Sequence, residues 1–256
     1  MIDLRDMRVL VTGGASGIGR ATAELLADRG AVVVIADLGA DRVESAVAEM
    51  TSQGRRSVSG MAANVRVRQQ VEQMVDQAEA RLGQIDALVH CAGVLRPEGV
   101  RPRPLTEVDD DEYELVVGTN LRGTFLVNRA VLARMVPRRS GQIVNVASTS
   151  GRRGRAFDSV YSASKAGVIG LSESAAEEVR AQGIRIQVVL PDAIDTPLWD
   201  QNGPVPRPPA ALPPQRAAEV IALCLCLPPD TTCGELVVAP LHLRKLRSKP
   251  ATGATS

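Results

Sequence analysis

The chain predicts an α/β fold: one doubly wound parallel sheet of about seven strands, with helices on both faces. Three observations carry this reading. Short β-branched runs alternate with longer helical patterns through the first 190 residues. The runs are continuously apolar, as expected of strands buried on both faces of a parallel sheet. No repeat or linker interrupts them, so residues 1–240 read as a single domain.

In chain order, the predicted strands are Arg8–Val11, Ala31–Ala36, Ser57–Ala62, Ala87–Cys91, Gln142–Ala147, Arg185–Leu190 and Glu235–Ala239. Helical patterns fill 17–29, 40–53, 67–82, 109–136, 160–182 and 214–226 between them. The helix at 109–136 contains Gly118-Thr119-Asn120-Leu121-Arg122-Gly123, a cluster of poor helix formers that predicts a kink. The segment 197–214 holds 7 of the 16 prolines. Prolines 204, 206, 208 and 209 remove backbone donors and fix φ, so a lid here is expected to be extended and stiff rather than helical. Residues 241–256 form a basic, then small and polar tail whose end is expected to be disordered.

Composition excludes several classes. The 30 basic and 29 acidic residues nearly cancel, which gives no general attraction to nucleic acid or an anionic membrane. No apolar run reaches membrane-spanning length and the first residues lack a signal-peptide core, so a cytoplasmic location is expected. Four scattered cysteines do not make a disulfide framework. Cys224 and Cys226 have no histidine nearby and read as buried thiols on a core helix; no metal site is expected.

The first strand runs into Thr12-Gly13-Gly14-Ala15-Ser16-Gly17-Ile18-Gly19 and then a helix. Gly13 permits a tight turn, Gly17 lets backbone approach a pyrophosphate, and Gly19 lets the helix pack against the strand. The free N–H groups and positive dipole end of that helix suit phosphate. Asp37 ends the second strand 18 residues after Gly19, placed to bond adenosine ribose hydroxyls. Its carboxylate would repel a 2′-phosphate and its successor is Leu38 rather than a base, so NAD is favoured over NADP.

Of the 30 basic residues 27 are arginine, and the first of only three lysines, Lys165, stands four positions after Tyr161, one of two tyrosines. On a helix that spacing places both on one face. An ammonium beside the phenol favours the phenolate and is expected to lower its pKa. Arginine, a bulkier fork that keeps its proton, would not substitute cleanly.

With these motifs in this order, the chain resembles the short-chain dehydrogenase/reductase family from about residue 5 to 240. The matching residues are the Thr12-Gly13-x-x-x-Gly17-x-Gly19 loop, Asn120, Ser148, Tyr161-x-x-x-Lys165, Pro191 and Thr196-Pro197. The resemblance implies a Rossmann-type dehydrogenase moving hydride between a nicotinamide and a secondary alcohol or its ketone. It implies Tyr161 as acid/base, Lys165 as modulator and ribose ligand, Ser148 as orienter of the substrate oxygen, and Asn120 as support for a proton relay. The cofactor cradle it implies is Gly13, Ser16, Gly17, Ile18, Gly19, Asp37, Leu38, Asn64, Val65, Ala92, Gly93, Tyr161, Lys165, Pro191, Ile194 and Thr196. A 3-oxoacyl-thioester reductase is the alternative within the family, and a non-catalytic nucleotide-binding regulator the alternative outside it.

Three departures stand out. His90-Cys91-Ala92-Gly93 replaces the family's Asn-Asn-Ala-Gly, which puts the usual local hydrogen-bond scaffold in doubt. Asn64 stands where an acid is usual, and its amide oxygen can still accept from an adenine amino group. Asp192 replaces a glycine; it reads either as an anion near the nicotinamide or as a solvent-facing loop residue. Ser150, Phe157, Asp192 and Trp199 are the candidate substrate wall, Phe157 and Trp199 being two of only five aromatic residues. Arg152, Arg153 and Arg155 read as a solvated loop or as an attractor for an anionic substrate. A pocket open to bulky or cyclic substrates is expected beneath the extended lid. The helix beginning Val160, Ala163, Ala166, Gly167, Gly170 offers a small-residue surface, so a homotetramer is expected, with a dimer as fallback.

Overall fold

A computed structural model of the chain describes residues 3–241 and contains one seven-stranded, wholly parallel sheet. The strands are β1 (Arg8–Thr12), β2 (Val32–Asp37), β3 (Val58–Ala62), β4 (Ala87–His90), β5 (Gly141–Val146), β6 (Ile184–Pro191) and β7 (Glu235–Val238). Each falls within a residue or two of its apolar run. The helices are α1 (Gly17–Asp28), α2 (Ala40–Ser52), α3 (Arg68–Leu82), α4 (Asp110–Val117), α5 (Gly123–Arg138), α6 (Ser159–Val179) and α7 (Pro214–Cys226). The tail expectation concerns residues outside those described, apart from Leu241.

The strand order is β3-β2-β1-β4-β5-β6-β7. The order reverses between β1 and β4, and in such sheets the crevice for a ligand opens beyond the strands' carboxyl ends at that reversal. Both faces are covered. Leu26 of α1, Met50 of α2 and Ile221 and Leu225 of α7 pack on one side, Met74 of α3 and Val127 and Met135 of α5 on the other. Largely apolar strands are thereby buried twice over, and the near-complete burial of Val9, Leu10 and Val11 shows both faces of one strand used.

The predicted kink is a π-helical turn, Gly118–Arg122, between α4 and α5. Thr124 Oγ1 donates to the Asn120 carbonyl at 2.5 Å within the buried turn. The widened backbone points the fully buried Asn120 side chain toward β4 instead of solvent.

The lid corrects the expectation of an extended chain from residue 197. Pro197–Asn202 form a 3₁₀ helix, because Pro197 stands at the first helical position, where its missing N–H costs nothing. Regular helix ends before Pro204, as the prolines require. The far end is tied down by a parallel bridge between Ile194 and Leu212, and Arg207 pairs with both Asp195 and Asp200.

Ile221 is wholly buried where α7 packs beside α1. Ile221→Ala is expected to destabilise the fold by about 3 kcal/mol, which for a chain of this size lowers Tm by roughly 6–12 °C. A thermal melt that moves by less than about 2 °C would contradict this account of the core.

Candidate active site

The carboxyl ends of the strands open into a cleft of about 490 Å³. That size is within the range of small-molecule and cofactor sites. At one end, the backbone turns at Gly13 and Gly17 with φ of +65° and +52°. A Cβ at Gly19 would lie 2.1 Å from the Gly13 carbonyl oxygen, so α1 can start this close to β1 only with glycine there. The α1 terminus beside Ser16 and Ile18, which no side chain caps, fits a pyrophosphate.

Asp37 stands at the end of β2 beside this turn. It accepts from Ala15 N at 3.2 Å and Leu38 N at 2.8 Å, and Arg42 reaches it at 3.5 Å. Leu38 is largely exposed at the rim. Asn64 and Val65 follow β3 along the same wall; the Asn64 side-chain oxygen accepts from Arg66 N at 2.9 Å and keeps a second lone pair. Ala92, Gly93, Pro191, Ile194 and Thr196 complete the cradle. These are the residues expected to hold an adenine dinucleotide, and they form one continuous wall.

Across the cleft, β5 delivers Ser148 and α6 delivers Tyr161 and Lys165, one turn apart. Ser148 Oγ accepts from Ser150 N at 3.1 Å, which fixes the side chain and leaves its O–H free to donate. The Lys165 Nζ lies 5.8 Å from the Tyr161 ring centroid and donates to the Val146 carbonyl at 3.0 Å. Asn120 sits behind them: its Oδ1 accepts from Val94 N at 2.8 Å and its Nδ2 donates to Val94 O and Ser164 Oγ, both at 2.9 Å. Gly93 makes room for this group, since a Cβ there would lie 3.2 Å from Asn120 Oδ1 and 3.3 Å from Lys165 Nζ.

The expected lowering of the Tyr161 pKa is not what the protein alone produces. Burial pushes the phenol up to about 12; the Ser148 hydroxyl opposes the shift. Burial likewise pushes the Lys165 ammonium down to about 8. A dry site favours the neutral form of each group.

The replaced amides leave a workable scaffold. His90 Nδ1 pairs with Thr12 Oγ1 at 2.7 Å, and burial holds the imidazole neutral, down to about 3. Burial pushes the neighbouring Cys91 thiol up to about 12.

One substrate-wall expectation changes. Phe157 is 58% exposed at a backbone φ of +66° and does not line the cleft. Asp192 does line the cleft, and its carboxylate is held rather than free: Arg155 pairs with it and Thr149 Oγ1 donates to it at 3.0 Å. Two of the three arginines are occupied, Arg155 by Asp192 and Arg152 by Glu173 and Glu235, while Arg153 is exposed. Ser150 and Trp199 do line the cleft, and Trp199 Nε1 donates to Ile194 O at 2.7 Å. Sequence reasoning missed Arg96 and Asp158, an ion pair close to Tyr161. Among 27 arginines, nothing local distinguishes Arg96.

The model of the short chain dehydrogenase family matches residues 7–205. A short-chain dehydrogenase/reductase of Pyricularia oryzae is 42% identical over 193 residues, covering 75% of this chain and 70% of its own. The chain belongs to the short-chain dehydrogenase/reductase family. As a member of that family it is an oxidoreductase enzyme, and the family works with nicotinamide cofactors. A cis-4-hydroxycyclohexanecarboxylate dehydrogenase of Sinomonas cyclohexanicum is 43% identical over 191 residues, 74% of each chain. The crystal structure of levodione reductase shares the fold with a TM-score of 0.83 at 32% identity, covering 91% of this chain and 96% of the other. Among the described residues, no helix of this dehydrogenase is long and apolar enough to cross a membrane, and no cluster of metal-ligating side chains occurs.

Burial separates the four thiols. Cys233 is exposed, Cys224 and Cys226 are buried, and burial pushes Cys91 and Cys224 up to about 12. At pH about 8 the native enzyme should show one fast-reacting thiol per chain toward a thiol reagent, because the thiolate is the reacting species. Loss of that fast phase in Cys233→Ser checks the assignment; two or more fast thiols would contradict it.

Proposed function

We propose that this enzyme transfers hydride between NAD(H) and a secondary alcohol or its ketone, with Tyr161 as the acid/base. The observation that carries the reading is the convergence of Ser148, Tyr161 and Lys165 on the same cleft as the glycine turn. A bound nicotinamide would supply the hydride acceptor or donor, and in its oxidised form a positive ring. The chain's own groups handle the proton. Tyr161, kept protonated by burial, holds the proton that a developing alkoxide takes up in ketone reduction. In the oxidative direction it must first become a phenolate, which the adjacent Lys165 charge favours. Ser148, its Oγ held by Ser150 N, donates to the substrate oxygen and fixes its distance from the phenol. Asn120 holds the Val94 backbone and Ser164 still and so keeps the floor of the site rigid. These roles leave no purpose for a purely regulatory nucleotide binder.

Asp37 supports NAD over NADP, because a fixed carboxylate at the ribose position would repel a 2′-phosphate. It also weighs against the thioester-reductase alternative, since reductive biosynthesis usually draws on NADPH. For the substrate we favour a bulky or cyclic alcohol. Trp199 and Leu198 offer an apolar wall, and the relative that acts on a hydroxycyclohexanecarboxylate is consistent with a ring. The exposed small residues Ala163, Ala166 and Gly170 on α6 support self-association into a homotetramer, or a dimer at least. Val160 and Gly167 drop out of that surface: Val160 is buried, and Gly167 faces Leu121.

Equilibrium titration should show NAD binding at least ~10-fold tighter than NADP, about 1.4 kcal/mol. Asp37→Ala combined with Leu38→Arg should narrow or reverse the preference; tighter NADP binding by the unaltered enzyme would overturn the ribose role of Asp37. Turnover, followed as NADH absorbance over a panel of alcohols and ketones, should fall at least ~1000-fold in Tyr161→Phe with NAD affinity nearly unchanged. Lys165→Arg should also lose most activity despite keeping its charge, and a retained rate would refute the role given to lysine.

A further inference from the structure

The loop that leaves β4 ties three parts of the site together through consecutive residues. Val94 exchanges both backbone hydrogen bonds with the Asn120 amide. Leu95 N donates to Gln201 Oε1 at 2.8 Å, on the 3₁₀ turn of the lid. Arg96 turns inward: its side chain is 3% exposed, and its Nη2 donates to Asp158, the residue before α6, whose backbone carbonyl accepts from Ser162 N at 2.8 Å in the turn that carries Tyr161. Its Nε has no hydrogen-bond partner among the described residues. A buried guanidinium with an idle donor is unfavourable unless its charge is used.

The use lies at Tyr161. Asp158 lines the cleft, and its negative charge opposes ionisation of the phenol. The other groups facing that phenol are accounted for. Ser148 comes from the end of β5, Lys165 from the next turn of α6, and Arg155, already engaged with Asp192, from the preceding loop. Leu95, Val116 and Val160 close the apolar side. His90 and Cys91 of the β4 end lie beyond Lys165, and both are neutral.

We infer that Arg96 is a positioning residue for Tyr161: through Asp158 it fixes the first turn of α6 and cancels a negative charge that would oppose formation of the phenolate. This rests on the reading of Tyr161 as the acid/base. A guanidinium suits the task better than an ammonium, because it stays charged throughout the range in which a phenol titrates.

Only two tyrosines exist, so the full-length protein reports Tyr161 ionisation directly, as near-ultraviolet tyrosinate absorbance after subtraction of Tyr161→Phe. No substrate is needed. Asp158→Asn should move the Tyr161 transition down by at least ~0.5 pH unit, since it leaves Arg96 unopposed. Arg96→Met should move it up by a similar amount, and the double variant should lie between the two. Should Arg96→Met fail to fold, Asp158→Asn and the double variant decide alone. A transition unmoved in Asp158→Asn, or moved in the same direction by both single changes, would overturn the inference. Failure of the underlying reading looks different: Tyr161→Phe would then retain turnover whatever the titrations show.

Discussion

The site depends on one constraint, the burial of an ammonium and a phenol side by side at the carboxyl edge of the sheet. Lys165 is 5% exposed and has no carboxylate partner among the described residues; the Val146 carbonyl is its fixed acceptor. Burial is the main cause that pushes it down to about 8 and pushes Tyr161 up to about 12. The surroundings therefore stand against charge on either group. Much of the nearby architecture serves this packing. Gly93 leaves space for the Lys165 Nζ, and a Cβ at Gly151 would lie 2.7 Å from the Lys165 backbone, so the loop after β5 can close onto α6 only with glycine there.

Arginine does different work. Arg152 ties the loop after β5 to α6 and β7, Arg155 holds Asp192, Arg96 holds Asp158, and Arg207 fastens the lid at two carboxylates. Pairs that are half exposed contribute little stability each, but as cross-loop ties they fix the shape of the cleft's rim. A chain that uses arginine for ties and keeps its one non-terminal lysine for the site separates structural charge from chemical charge.

What was legible in the sequence was local. The strands were readable because burial on both faces makes most of their positions apolar, with Asn145 and Gln187 as buried exceptions, and the glycine turn because steric demands on Gly13, Gly17 and Gly19 are met within a few residues. The kink at Asn120 was readable from its poor helix formers. What failed depended on partners distant in sequence. The partner of Asp192, Arg155, lies 37 residues away, and that of Arg96, Asp158, lies 62 residues away, so neither pairing had a local signal. The direction of the Tyr161 shift was misjudged because spacing reveals the lysine but not the dryness around it. Phe157 faces outward because of a left-handed backbone conformation that nothing in its neighbours demands.

The most direct test of a dry site is the ionisation of Lys165 itself. With only three lysines in the chain, carbon NMR of lysine labelled at the ε-carbon resolves each one, and Lys165→Arg identifies the resonance. In the cofactor-free protein it should titrate with a midpoint of about 8. A midpoint at the ordinary lysine value of 10.5 would mean that water reaches the site, and would contradict the account.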